Sequence, residues 1–292
     1  MLKSLEDLNR VRKLAETGQH AAVVDYLSDR PDMELKESPT LALLFGTAQA
    51  RLGNHQEGTQ WVELALGKSR DRGDRTVESR ALNVRGAIAL VSGSIDEAAE
   101  YFTQALAAAR NDGDNATIGR CSNNLGIIHN MRGRYAEAIG SYTMAIAAFQ
   151  QADMVRGLAE AHHNLGITYC EKHDLERALE EADFSVEKAD ACGDVSLSGL
   201  ALRGRAEVRL RLGELKVAQK EIDRALKLHR GLGDAVEEAE DLRIVGLLLM
   251  ANRQLEEAER VLGDVIQRAE SLSRPQLAAD ATRDLARVLR EA

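Results

Sequence analysis

Apolar side chains in this chain recur at helical steps, and the helical stretches themselves recur. In the central segment Ile127, Ile128, Tyr135, Ala138, Tyr142, Ala145 and Ile146 fall at such steps on either side of Gly133. That pattern predicts two amphipathic helices joined by a turn. Aligned on Gly126, the same position holds Gly46, Gly86, Gly166, Ala206 and Gly246, a constant spacing of 40. A fixed period between about 20 and 50 residues marks a stack of supersecondary units.

Other columns repeat with the same step. One holds Gly58, Ala98, Ala138, Ala178, Ala218 and Ala258; another holds Ala65, Ala105, Ala145, Ser185, Ala225 and Val265. Small residues at these places let crossing helices approach closely. A turn column reads Gly53, Gly93, Gly133, His173, Gly213 and Arg253. Glycine there can take the left-handed conformation that ends a helix. A Gly-Asp pair closes the unit at 73–74, 113–114, 193–194 and 233–234. Aspartate after that glycine is suited to cap the next helix, because its carboxylate accepts from the orphan N–H groups of the first turn.

These marks resemble the tetratricopeptide repeat (TPR) family. Leu165-Gly166-Ile167-Thr168-Tyr169 matches the Leu-Gly-x-x-Tyr half of its pattern, and Ala98-Ala99-Glu100-Tyr101-Phe102 the Ala-x-x-x-Phe half. The ordinary repeat has about 34 residues. The longer step here, with Asn-Leu-Gly and a closing Gly-Asp, is similar to the long-repeat arrays of kinesin light chains, LGN-type polarity adaptors and bacterial signalling regulators. The resemblance spans roughly residues 38–292 and implies an all-α fold: a right-handed α-solenoid of TPR helix hairpins, about fifteen helices, with a C-terminal capping helix. Ala206 in the glycine column, and His173 and Arg253 in the turn column, depart from the pattern, so their repeats are expected to be less regular.

Residues 1–37 read as a degenerate first repeat or cap followed by a linker, with Leu8, Val11, Leu14 and Ala15 on one helix, Gly18 at the turn, and Ala21, Val24 and Leu27 on the next. Pro31 opens the linker, a polar stretch ending at Ser38. Residues 38–274 hold six repeats, starting with Ser38 as N-cap and Pro39 in the first turn. Residues 275–292 form a single polar-backed helix, which suits the exposed end of a stack.

A net charge of −9 over 292 residues disfavours sequence-independent nucleic-acid binding, which needs a basic face. Cys121, Cys170 and Cys192 are odd in number and lack a Cys-x-x-Cys spacing, which fits reduced thiols and a cytoplasmic setting. The acidic N-terminal stretch does not read as a signal peptide. The longest near-apolar run, from Ile244 to Ala251, is too short for membrane insertion. No catalytic motif emerges. Gly67-Lys68-Ser69 lacks the upstream glycine of a phosphate loop, since position 62 is Val62. His129, His162, His163 and Cys170 do not make a metal set, because adjacent histidines on a helix point about 100° apart. No enzyme, cofactor or metal is expected.

In TPR arrays the first helix of each pair lines the groove, and the resemblance places the main ligand-facing column three residues before the glycine. Here that column reads Leu43, Asn83, Asn123, His163, Arg203, Arg243 and Arg283. One turn earlier stand Arg80 and Arg120, with Glu160, Leu200, Glu240 and Asp280 further along; Asn124 and Asn164 sit two before the glycine, and Asn130 one turn beyond Gly126. Asparagine donates and accepts at once, so it can hold a peptide backbone whatever its side chains. By the resemblance Asn124 and Asn164 inherit that task. Arginine offers a planar fork to carboxylates. Arg203 and Arg243 have acidic residues within their own helical turns, Glu207 and Glu240, whereas Arg80 and Arg120 have none at three or four residues. The candidate partner-binding residues are therefore Arg80, Asn83, Arg120, Asn123, Asn124, Asn130, His163, Asn164, Arg203 and Arg243. The expected ligand is a segment or C-terminus of a partner protein, acidic in character. The acidic run Glu176, Glu180, Glu181, Asp183, Glu187 and Asp190 lies on a second helix and reads as a solvated outer face. The leading reading is a non-enzymatic adaptor. A peptide- or effector-sensing regulatory domain and a self-assembling homo-oligomeric scaffold stand as alternatives.

Overall fold

The computed structural model describes residues 5–29 and 32–291. The N-terminal residues before Leu5 and the start of the linker at Pro31 lie outside them. Among the described residues there are sixteen helices and no strand. None is long and apolar enough to cross a membrane. The chain divides into two compact units, Met1–Ala152 and Asp153–Ala292.

The first unit holds α1 (Leu5–Glu16), α2 (His20–Ser28), α3 (Asp32–Glu37), α4 (Pro39–Arg51), α5 (His55–Arg72), α6 (Arg75–Val91), α7 (Ile95–Asp112), α8 (Asn115–Met131) and α9 (Tyr135–Gln151). The second holds α10 (Val155–Glu171), α11 (Leu175–Cys192), α12 (Val195–Arg211), α13 (Leu215–Leu232), α14 (Ala235–Ala251), α15 (Leu255–Ser271) and α16 (Pro275–Glu291). From α4 onward each helix within a unit packs on the one before and after it, the α-solenoid arrangement that the forty-residue period predicts, while α2 packs on α1 and α4, and α3 on α4. First helices also touch the next first helix: α4 with α6 and α6 with α8 in one unit, α10 with α12, α12 with α14 and α14 with α16 in the other. That contact makes the first-helix side the tighter, inner side of each stack.

The extra helix is α3, in the stretch expected to be a linker. Leu35, the buried one of its two large apolar side chains, packs with Val11, Val23, Leu27, Leu41 and Phe45, while Met33 is exposed. That anchor draws an otherwise polar segment into the core. Ser38 then caps α4 as its sequence suggests, accepting from the Leu41 N–H at 3.3 Å.

The Gly-Asp marks do what their chemistry implies. Gly73, Gly113, Gly193 and Gly233 have φ between 67° and 70°. Asp74, Asp114, Asp194 and Asp234 accept from the third backbone N–H beyond them. His173 and Arg253 correct the expectation of irregular turns. They adopt φ of 59° and 63°, the same left-handed conformation as the turn glycines. Packing on both sides fixes the turn, and the side chain bears the strain, about 1–2 kcal/mol for a residue with a Cβ.

The glycine column explains how each hairpin closes. A Cβ at Gly86 would lie 2.6 Å from the Phe102 ring, one at Gly126 2.5 Å from Tyr142, and one at Gly246 2.7 Å from Leu262. Each large side chain sits sixteen residues on, in the second helix, and fills the space the glycine leaves. Ala206 answers Ile222 in the same core. Gly166 is the exception. Its counterpart is Ala182, and the atoms nearest a Cβ at Gly166 would be Ala178 O at 3.3 Å, Glu181 Cβ at 3.5 Å and Ala182 N at 3.6 Å. Both sides of that slot are small.

Candidate functional site

The candidate residues fall into two groups, one in each unit. In the first unit, α6 and α8 bring Arg80, Asn83 and Asn124 together. Asn83 Oδ1 accepts from Asn124 Nδ2 at 3.3 Å and from the Cys121 thiol at 3.4 Å. The two carboxamides expected to face a peptide thus bond to each other between successive repeats. Burial pushes the Cys121 thiol up to about 12, so it stays protonated and serves as a donor. Asn123 is buried and, like Arg120, already holds a partner. Asn130 Oδ1 is shut away from solvent with no hydrogen bond within the protein.

Arg80 corrects the expectation of an unpaired guanidinium. Its Nε lies 2.9 Å from Asp114 Oδ2, and the side chain is 46% exposed. Asp114 is the N-cap of α8, held by Thr117 through both its N–H and its hydroxyl. Its carboxyl group is resisted by burial, but the Thr117 bonds and the Arg80 charge outweigh that and lower its pKa. The acidic partner of Arg80 comes from the next repeat, thirty-four residues on, and not from its own helix.

In the second unit, His163, Arg203 and Arg243 stand on α10, α12 and α14 around one pocket of about 290 Å³. Gly166, Ile167, Cys170, Ala182, Gly204, Glu207, Val208, Arg211 and Glu240 complete most of the wall. The pocket lies where the Gly166–Ala182 slot lacks a large side chain. Ile167, 38% exposed, carries it to the surface. His163 lies against Gly204, where a Cβ would come within 2.7 Å of its ring. Burial, and next the charge of Arg203, hold its pKa down to about 4, so the ring is neutral. Burial also pushes the Cys170 thiol up to about 11, which makes it a poor nucleophile. Asn164, half-buried on α10, already has a partner and is not among the lining residues.

The two arginines are inserted into ion-pair networks. Arg203 is 14% exposed and binds Glu237 at 2.6 Å and Asp241 at 3.2 Å. Arg243 binds Asp284 at 2.7 Å, with Glu207 and Glu240 at 3.9 and 4.0 Å. The local pairing expected for Arg203 with Glu207 gives way to cross-repeat pairs, and Glu240 is only a distant partner of Arg243. Burial works against both charges, but the facing carboxylates outweigh it and raise both pKa values. Asp241 is fully buried and is shared with His229, whose Nδ1 lies 2.7 Å away. His229 Nε2 meets the Ser196 carbonyl at 3.2 Å. Burial opposes protonation of His229, but these acceptors prevail and raise its pKa. The acidic run on α11 is exposed for the most part, except that Glu181 turns in to His162 at 2.6 Å.

Sequence reasoning did not find the pocket's floor, although the signal was there to be read. The column opposite the glycines reads Val62, Phe102, Tyr142, Ala182, Ile222 and Leu262, and only one member is small.

The tetratricopeptide repeat model matches residues 77–151 and 117–183. No curated protein matches the chain by sequence. Among solved structures, the chain is similar to a Rap protein complexed with competence and sporulation factor, at 14% identity and a TM-score of 0.71, covering all of this chain and 88% of that one. It is similar to NprR in complex with its cognate peptide NprX, at 15% identity and a TM-score of 0.68, covering 99% and 84%. BtubC (BKLC) from P. vanneervenii gives 19% identity and a TM-score of 0.57, covering 78% and 89%.

Proposed function

The chain carries tetratricopeptide repeats, and on that premise we propose that it is a non-catalytic binding module that holds a segment of a partner protein on the inner, first-helix side of its hairpins. The observation that carries this reading is the pocket on α10, α12 and α14. Three consecutive first helices contribute to it, and its wall includes three members of the ligand-facing column. In the first unit, Asn83, Asn124 and the half-exposed Arg80 present polar groups on the same kind of surface. A carboxylate of the partner engages Arg80 alongside or in exchange for Asp114, so acidity of the partner is a secondary preference here. The three cysteines are free thiols, which suits a cytoplasmic setting.

A second reading, a peptide-sensing regulatory role, draws support from the similar structures of a Rap protein with competence and sporulation factor and of NprR with its cognate peptide. Both readings require a bound peptide, so one experiment addresses them. The full chain is used to select from a displayed library of random peptides, and the enriched peptides are measured by fluorescence anisotropy. Related sequences should emerge, and Ile167→Lys, which places a charge at the pocket mouth, should weaken them at least tenfold, about 1.4 kcal/mol. Failure to enrich related peptides, or equal affinity for the Ile167→Lys protein, would refute the reading.

A further inference from the structure

Five hairpins close the slot between their helices with a larger side chain opposite a small residue: Val62, Phe102, Tyr142, Ile222 and Leu262. In the α10–α11 hairpin both members are small, Gly166 and Ala182, and the space remains as the pocket. At about 290 Å³ it stands at the bottom of the range for ligand pockets, about 300–1,000 Å³, which is room for a side chain rather than a large cofactor. Its floor is apolar: Gly166, Ala182, Cys170 and Val208. Its charged rim is balanced, with Arg203, Arg211 and Arg243 against Glu171, Glu207 and Glu240. The arginines are engaged with Glu237 and Asp241, with Glu207 and Glu171, and with Asp284 respectively. A site of that kind offers no surplus charge to an ion. It offers apolar walls to a neutral body and a polar edge to the amide groups on either side of it.

We propose that this pocket is a socket for one aromatic side chain of the bound peptide, which completes from outside the slot that Phe102 and Tyr142 complete from within. The inference rests on the partner-binding reading for the origin of that side chain, and on the slot geometry for its chemistry. An aromatic ring is favoured because the equivalent space accommodates one in two of the five filled hairpins, at Phe102 and Tyr142, and because burying a ring yields more apolar contact than the Val62, Ile222 or Leu262 side chains that fill the other three.

The test uses the full chain, labelled with nitrogen-15, and capped amino acids as probes. N-acetyl-phenylalaninamide and N-acetyl-tyrosinamide should shift the Gly166 and Gly204 amide signals saturably at millimolar concentration, while N-acetyl-alaninamide at the same concentration leaves them in place. Ala182→Phe fills the socket from inside, as Phe102 does opposite Gly86, and should abolish the shifts with helicity unchanged. Ala182→Leu, which copies the arrangement of Leu262 opposite Gly246, gives the same reading where the larger ring disturbs folding. Shifts that persist in the filled variants, a silent response to the aromatic probes, or a stronger response to an acidic capped residue would each overturn the socket. Selected peptides that bind Ala182→Phe as well as wild type, with the aromatic probes silent, would sink the socket and leave partner binding intact. Aromatic probes that bind the wild type alone, with no peptide ever enriched, would uphold the socket and remove the partner-binding reading.

Discussion

The glycine column invites a paired test in which one substitution at equivalent places has unequal cost. Replacing a mid-helix glycine by alanine removes backbone entropy from the unfolded chain and is worth up to about 1 kcal/mol in a helix. At Gly166 the atom nearest the new Cβ is a backbone oxygen, Ala178 O at 3.3 Å, a tight contact that offsets most of the helix gain, so Gly166→Ala should leave stability within about 0.5 kcal/mol of wild type. At Gly126 three atoms of the Tyr142 ring lie 2.5, 2.7 and 2.8 Å from the same position, and that ring is itself buried. Overpacking of this kind costs about 1–3 kcal/mol, which outweighs the helix gain, so Gly126→Ala should destabilise by about 1 kcal/mol. The two variants should therefore differ by about 1 kcal/mol. Urea unfolding by circular dichroism reads the global effect. Amide exchange in α8–α9 and α10–α11 reads the local one, since a chain of stacked repeats need not unfold in one step. In a Tyr142→Ala background, itself destabilised by about 3–5 kcal/mol, Gly126→Ala should cost nothing further, because the two residues share one space. Equal stability of the two alanine variants, or strict additivity in the double variant, would refute the slot argument.

Three further outcomes follow from the buried charges and the turns. His163 is held neutral with a pKa of about 4 against an ordinary 6.5, so the unfolded chain binds the proton first and stability falls as pH drops from 6.5 to 4, by about 3 kcal/mol for this group; His163→Asn should flatten that acid limb of the melting-temperature profile. His229 has the opposite sign: its raised pKa gives a contribution that is complete below pH 6.5 and fades as pH rises through the folded value, and His229→Asn should remove that alkaline decline. Asp241→Ala should cost about 3–5 kcal/mol in chemical unfolding, because it strips the shared carboxylate from His229 and Arg203, and His229→Ala in addition should restore much of it. Arg253→Gly relieves a left-handed turn and should raise stability by about 0.5–1 kcal/mol, read as a shift in the urea midpoint.

The fold was legible because its determinants are periodic. Gly126, Gly166 and their equivalents, the Gly-Asp closures and the small-residue columns specify hairpins of one length, and stacking follows from the apolar faces they leave. The α3 helix escaped notice because one buried leucine, Leu35, decides the fate of a segment whose composition reads as linker. The site was legible only as a column. A search for charge partners three or four residues away suits an isolated helix, but a residue on a first helix meets the next first helix about one period later. Arg80 finds Asp114 at thirty-four residues, Arg203 finds Glu237 and Asp241 at thirty-four and thirty-eight, and Arg243 finds Asp284 at forty-one. Charges that look free, or paired within their own helix, along the sequence are thus bonded between repeats and tie each stack together. The place where shape departs from the repeat is a missing side chain at Ala182. In a periodic protein the informative position is the one where the period is kept and the volume is not.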